Sequence, residues 1–152
     1  IPFLKVLLIA SIWAVVTVAV PWRLDLQEHD TFLIIAMACM RVPLFLGLAI
    51  IFDIRDLGND APGLRTVPIV FGVKGAKALS VLLLLISAAF EWIFLQGLGY
   101  NVASYTILAG YVVAMLLAIR ANPGDKRLTF DLLVDGMMIL IPVCVWVGMK
   151  LG

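Results

Sequence analysis

Long apolar stretches separated by short polar breaks make up most of the chain. Each stretch has about the 20 residues that a helix needs to cross the hydrocarbon core of a bilayer. Because a lone segment in lipid can pair its backbone polar groups only within a helix, each stretch predicts a transmembrane helix. The five predicted helices run from Pro2 to Trp22, Thr31 to Phe52, Lys77 to Gln96, Ala103 to Ile119 and Leu128 to Met149. The pattern predicts an all-α, polytopic transmembrane bundle, with residues 1–152 forming a single domain.

Composition supports a membrane protein and excludes several other classes. The chain is 64% hydrophobic and 14% charged, with a mean hydropathy of +1.14, which is too apolar for a soluble domain of this size. Its net charge is +1 and it has no concentrated basic stripe, so we expect the lipid bilayer, and no nucleic acid, as a partner. Cys39 and Cys144 both lie in apolar stretches, so no disulfide framework is indicated.

Basic residues are concentrated on one side of the membrane if successive helices alternate in direction. The richer side holds Lys5, Arg55, Arg65, Lys74, Lys77, Arg120, Lys126 and Arg127, and the other side holds Arg23 and Lys150. By the positive-inside rule, the polar break from Asp53 to Gly75 is predicted to face the cytoplasm. The excess could instead reflect phosphate binding, which would place the same side inward.

Three aspartates begin that break, in the sequence FDIRDLGNDAPGLRTVPIVFG. On a helical wheel, Asp53, Asp56 and Asp60 fall at about 0°, 300° and 340°, one narrow stripe, with Arg55 on the opposite side. Like charges three and four residues apart repel, so the stripe is costly unless a positive charge is nearby. Mg²⁺ typically takes one or two carboxylates and completes its shell with waters or phosphate oxygens. The stripe therefore predicts a Mg²⁺ site for a phosphate ester; a solvated acidic loop is the alternative.

The same segment resembles the second aspartate-rich motif of the UbiA superfamily of intramembrane prenyltransferases. The resemblance covers about 25 residues: Asp53-x-x-Asp56-x-x-x-Asp60, then Gly63-x-Arg65-Thr66-x-Pro68 and Gly72-x-Lys74. It implies a nine-helix bundle around a central cavity with two facing motifs, of which this chain would supply the C-terminal part. The localisation that we expect is a bacterial inner membrane.

The resemblance also implies a reaction. A polyprenyl diphosphate would bind through Mg²⁺ held by Asp53, Asp56 and Asp60, its allylic C–O bond would ionise, and a small hydrophobic or aromatic acceptor would capture the carbocation. Arg65 and Lys74 are candidates for holding the diphosphate, although both also fit ordinary positive-inside anchors. Asp135, in the last predicted helix, is a candidate for the border of the cavity.

The first aspartate-rich motif of that family has no counterpart here. Asp25, Glu28 and Asp30 form the other acidic group between helices, and they lie on the predicted outer side. Because the chain starts at Ile1, we interpret it as a fragment of a longer enzyme rather than a degenerate protein. A secondary transporter, whose charges should lie near the midplane, and a non-catalytic scaffold are the alternative functions.

Two charged residues lie deep within apolar stretches. Arg41 comes twelve residues before Asp53, roughly 18 Å along a helix, and Glu91 comes fourteen residues after Lys77, roughly 21 Å. Each charge alone in hydrocarbon would be costly, so we predict that Arg41 and Glu91 form a buried ion pair or share one polar network. Asp135 is the alternative partner for Arg41.

Overall fold

Five helices form the part of the chain that the structure describes. The structure is a computed structural model, and it describes residues 4–24, 31–57, 66–124 and 127–152. The helices are α1 (Leu4–Leu24), α2 (Thr31–Asp56), α3 (Val67–Gly97), α4 (Asn101–Arg120) and α5 (Arg127–Leu151). The predicted all-α class is confirmed for these residues. Asp60 and Arg65 lie outside them.

Four of the helices are long and apolar enough to cross a membrane. Their spans within the described residues are Ile34–Asp56, Val67–Gly97, Asn101–Arg120 and Leu132–Leu151. The described part of α1 contributes a shorter apolar segment, Val6–Val18. The protein is thus a membrane protein with transmembrane helices, as the apolar pattern predicts.

The two polar breaks predicted to share one side of the membrane do meet at one end of the bundle. The Gly124 amide, in the turn between α4 and α5, donates to the Arg55 carbonyl at the end of α2 (3.0 Å). Lys77, near the start of α3, donates through Nζ to the Ile119 carbonyl at the end of α4 (2.8 Å). We call this end of the bundle the aspartate end, because Asp53 and Asp56 lie in the last turns of α2.

Helices that are neighbours in sequence are also neighbours in space. α1 packs on α2, α2 on α3, α3 on α4 and α4 on α5, and α2 also touches α4. The main core lies along α2, α3, α4 and α5 and includes the fully buried Ile51, Leu84 and Tyr111. This arrangement places the buried faces of three membrane helices around one polar cluster, described below.

The predicted break from Asp53 to Gly75 is too long. α2 continues to Asp56, and α3 begins at Val67, ten residues before the predicted start at Lys77. The apolar residues after Thr66 form a first helical segment, which Pro68 favours because proline is well tolerated in the first turn. The glycines and charges of this stretch therefore indicate a helix boundary with a bend, rather than a loop throughout.

The bend lies at Gly72, inside α3. Its φ of 70° and ψ of 165° fall in a region that is essentially restricted to glycine. The first segment of α3 can therefore turn relative to the long membrane-spanning segment. This geometry explains why an uninterrupted helical pattern is not visible in the sequence before Lys77.

Small residues allow the helices to approach closely. A Cβ atom at Gly47 of α2 would lie 3.0 Å from Leu84 Cγ of α3. At Gly148 of α5, a Cβ atom would overlap the backbone of Ala103 in α4. Within lipid, helices associate through such close packing and through polar contacts, since burying apolar side chains away from lipid gains little.

We expect Gly148→Ala to separate α4 from α5 and to lower the free energy of unfolding by about 1–3 kcal/mol, as overpacking does. Gly136→Ala is the matched control in the same helix, because nothing lies within 4 Å of its added Cβ. Denaturant titration in detergent micelles measures both variants. Equal stability of the two variants would contradict the close packing of α4 on α5.

Candidate functional site

Asp53 and Asp56 lie together at the aspartate end of α2. They are three residues apart within one helix, so their carboxylates project from adjacent turns of the same face, as the wheel predicts. Both side chains are half-buried. Asp60 lies outside the described residues, so the third member of the stripe stays a prediction.

Arg55 does not stay on the opposite side from the aspartates. Its Nε donates to Asp56 Oδ1 at 2.8 Å and its Nη2 donates to Asp56 Oδ2 at 2.9 Å. The helical wheel predicts the direction of the Arg55 Cβ atom, but it does not predict the position of the guanidinium. This long side chain reaches around the helix to Asp56. A bidentate contact of this kind is charge-assisted and fixes the plane of the carboxylate. Arg55 is therefore the positively charged partner that Asp56 requires.

Aromatic rings enclose the Arg55 guanidinium. Its Cζ atom lies 5.2 Å from the centre of the Phe52 ring and 5.7 Å from that of Phe130, which comes from α5. The two rings meet edge to face, with centroids 6.2 Å apart. Since only 10% of the Arg55 side chain is exposed, its attraction to Asp56 and to the ring faces is weakly screened by solvent. Asp56 is thus held by a contact that extends across to α5.

Two other candidate residues in the described part of the chain, Lys74 and Asp135, lie on different helices from the aspartate pair. Lys74 is exposed on α3, just after the Gly72 bend, and Asp135 is exposed on α5. Within the part of the chain that the structure describes, neither forms an ion pair with Asp53 or Asp56. The roles proposed for Lys74, Asp135 and Arg65 in binding substrate stay predictions.

Sequence reasoning missed two features of this end. Lys77 donates to the Ile119 carbonyl, so it stabilises the negative C-terminal end of α4 in addition to any role as a membrane anchor. Thr66 precedes the first turn of α3, and its hydroxyl is buried without a hydrogen-bond partner among the described residues. The Thr-x-Pro pattern marks the start of α3, but it did not indicate a buried hydroxyl.

The described residues at this end fit a hard divalent cation. Mg²⁺ needs one or two carboxylates and otherwise takes waters or phosphate oxygens, and Asp53 and Asp56 offer two carboxylates on adjacent turns. No cluster of three or more metal-ligating side chains occurs among the described residues, which leave out Asp60. Asp56 accepts from Arg55 through both carboxylate oxygens, and a carboxylate oxygen can accept more than one contact.

A second polar cluster lies deep between the helices. Arg41 Nε of α2 is 3.5 Å from Glu91 Oε1 of α3, which confirms the predicted ion pair. The alternative partner, Asp135, is wrong, since it is exposed and forms no described contact with Arg41. Tyr111 of α4 lies close enough to interact electrostatically with Glu91.

Ser87 joins the three helices next to this pair. Its hydroxyl donates to the Met40 carbonyl of α2 at 3.2 Å and lies 2.8 Å from the Tyr111 hydroxyl. A serine hydroxyl has one hydrogen, so when Ser87 donates to Met40, Tyr111 donates to Ser87. The cluster therefore links α2, α3 and α4 within the membrane-spanning region.

The comparisons with known proteins add no identity. No family model matches the chain, and no significant match was found among curated proteins or solved structures.

Arg41 and Glu91 should be energetically coupled. We expect Arg41→Met and Glu91→Gln each to lower the free energy of unfolding by about 3 kcal/mol, because each leaves a buried charge without its partner. The double variant should be less destabilised than the sum. Unfolding titrations of the four proteins in detergent measure the coupling. Additivity within about 0.5 kcal/mol would show that the two residues act independently.

Arg55 should not be replaceable by lysine. Arg55→Lys loses the bidentate contact and the planar packing on Phe52 and Phe130, so we expect stability to fall by about 1–2 kcal/mol. Arg120→Lys, at an exposed position at the same end of the bundle, is the control and should stay within about 0.5 kcal/mol of wild type. Thermal unfolding in one detergent compares them. A similar shift of the unfolding temperature in both variants would argue against the contacts of Arg55 with Asp56, Phe52 and Phe130.

Proposed function

We propose that this chain is part of a Mg²⁺-dependent intramembrane prenyltransferase of the UbiA type. The observation that carries the proposal is the pair Asp53 and Asp56 at the end of an apolar membrane helix, with one carboxylate oriented by a buried arginine. The proposal places the aspartate end on the cytoplasmic side of a bacterial inner membrane, in line with the basic residues around it.

A polyprenyl diphosphate matches the two environments that meet at the aspartate end. Its tail requires hydrocarbon, which the lipid and the apolar helix faces supply. Its diphosphate requires cationic partners near water, where hydration lowers the cost of concentrated charge. Lys74 lies on α3 close to its start, and Arg65 comes two residues before α3 in the sequence. Lys74 therefore lies near the end where the headgroup would bind, and Arg65 is close to α3 in sequence.

The reaction breaks the allylic C–O bond, and the diphosphate leaves with the electron pair. A small hydrophobic or aromatic acceptor then forms a bond to the allylic carbon and releases a proton. Mg²⁺, when bound to Asp53, Asp56 and Asp60, would supply stabilisation of the negative charge that develops on the leaving diphosphate. Apolar helix faces would exclude water from the allylic cation until the acceptor captures it.

Arg55 would act as a positioning residue in this site. Its bidentate contact fixes the Asp56 carboxylate before substrate binds, so the carboxylate need not reorganise during the reaction. Phe52 and Phe130 hold the guanidinium in place and keep solvent away from it. The facing first motif that the resemblance implies would supply the remaining ligands of the metal.

Release of diphosphate from farnesyl diphosphate tests the proposal. Membranes carrying the full-length protein should show Mg²⁺-dependent release with a suitable aromatic acceptor, and Asp53→Asn and Asp56→Asn should each lower kcat by at least roughly 100-fold. Lys150→Gln, a polar substitution at the opposite end of α5, should have no effect.

Activity that persists in both aspartate variants would contradict the role of the aspartate pair. If no donor and acceptor turn over and no Mg²⁺-dependent binding of prenyl diphosphate occurs, the transporter or the non-catalytic scaffold becomes the preferred function.

A further inference from the structure

A cavity of about 340 Å³ lies between α2, α3, α4 and α5, toward the end of the bundle opposite the aspartate end. Its apolar lining includes Met37, Met40, Phe94, Leu95, Ile107 and Val145, and its charged lining residues are Arg41 and Glu91. Leu98 and Met149, both exposed, also border it, so the cavity opens toward the ends of α3 and α5. Its volume is at the lower end of the range of small-molecule sites, about 300–1,000 Å³.

The cavity is separate from the aspartate end. Arg41 lies roughly 18 Å along α2 from Asp53. Glu91 lies near the opposite end of the bundle, six residues, or roughly 9 Å, before the end of α3. No residue of the aspartate pair lines the cavity. An occupant of this cavity would therefore not contact the aspartates, and the inference does not depend on the proposed reaction.

The ion pair that lines the cavity has unused hydrogen-bonding capacity. Glu91 is 9% exposed, and its Oε1 atom is buried with no hydrogen-bond partner among the described residues. Arg41 Nε, at 3.5 Å, is close enough for an ion pair but too far for a good hydrogen bond. About a quarter of the Arg41 side chain is exposed, and a guanidinium has five N–H donors.

These features select a neutral ligand with one hydroxyl group. The Arg41 and Glu91 charges cancel, so a charged ligand would leave one charge without compensation in an apolar site. A pure hydrocarbon would leave the remaining hydrogen-bonding positions of Arg41 and Glu91 unfilled. A hydroxyl group both donates and accepts, so one such group can serve both residues.

We propose that this cavity binds the hydroxyl-bearing end of an apolar molecule, a phenol or a long-chain alcohol. The hydroxyl donates to the Glu91 carboxylate and accepts from the Arg41 guanidinium. The hydrocarbon part contacts the methionine, phenylalanine and aliphatic side chains of the lining. The two unbranched methionine side chains can adjust to the shape of the ligand.

The test compares two probes that differ only in the hydroxyl group. Tritiated 4-hexylphenol and tritiated hexylbenzene are bound to the purified full-length protein in lipid nanodiscs, with empty nanodiscs correcting for partition into lipid. We expect wild type to bind the phenol roughly tenfold or more tightly than hexylbenzene. Asp53→Asn should leave this ratio unchanged, so that failure here and failure of the proposed function are distinguishable.

Three variants locate the site. Arg41→Met/Glu91→Leu removes both charges together, which limits destabilisation, and should bring the ratio of the two affinities close to one. Val145→Trp fills the cavity and should abolish binding of both probes. Ser80→Ala, which removes a different buried contact between α3 and α2 (Ser80 Oγ to the Gly47 carbonyl, 2.8 Å), should keep the wild-type ratio.

Equal affinity of wild type for the two probes would overturn the proposal, as would an unchanged ratio in the double variant. Unchanged binding in Val145→Trp would likewise place the bound phenol elsewhere. Equal affinity of Ser80→Ala for the two probes would also overturn the proposal. It would show that any loosening of α2 from α3 removes the preference for the phenol.

Discussion

The hydrocarbon core of a bilayer neither donates nor accepts hydrogen bonds, and this constraint determines most of the structure. Every backbone amide and carbonyl in the membrane must find its partner within the chain, which leaves helices as the stable form of each apolar segment. The same constraint applies to side chains. Three hydroxyl groups donate to carbonyls of a neighbouring helix: Ser80 to Gly47, Ser87 to Met40 and Thr106 to Cys144. Close packing at small residues brings the helices near enough for these bonds to form.

Charge is accommodated in two different ways at two depths. Deep in the bundle, Arg41 and Glu91 neutralise each other, and the cluster around Ser87 and Tyr111 connects three helices. At the aspartate end, Asp53 and Asp56 concentrate negative charge on one face of α2, and both side chains are half-buried. Arg55 makes a direct bidentate contact with Asp56. The two proposals follow this difference: a neutral hydroxyl group at the deep cluster, and a cation with a phosphate ester at the aspartate end.

The sequence predicted what depends on length and depth. Apolar stretches of about 20 residues predicted the helices, and similar distances from one end of the bundle predicted that Arg41 would meet Glu91. Predictions from the sequence were wrong where the structure depends on how far a side chain reaches or on a bend in the backbone. A helical wheel follows Cβ directions, so it placed Arg55 away from Asp56, although the guanidinium bends back to it. The bend at Gly72 interrupts the helical pattern, so the sequence predicts a loop where the first segment of α3 lies.

The candidate site was predictable in part for the same reason. Spacing places Asp53 and Asp56 on one helical face, because that follows from helix geometry alone. The phenylalanine from α5 that packs on Arg55 could not be inferred, since it depends on how distant helices meet. Likewise, no sequence pattern indicates the cavity beside Glu91, which is formed by residues from four helices.

The most direct test of the central claim is equilibrium binding of farnesyl thiolodiphosphate, an analogue that resists ionisation, to the purified full-length protein with and without Mg²⁺. If Asp53 and Asp56 hold the diphosphate through Mg²⁺, binding should be saturable and should weaken at least roughly tenfold when Mg²⁺ is removed. Binding that is absent, or that is equally tight without Mg²⁺, would contradict a cation-mediated prenyl diphosphate site at Asp53 and Asp56.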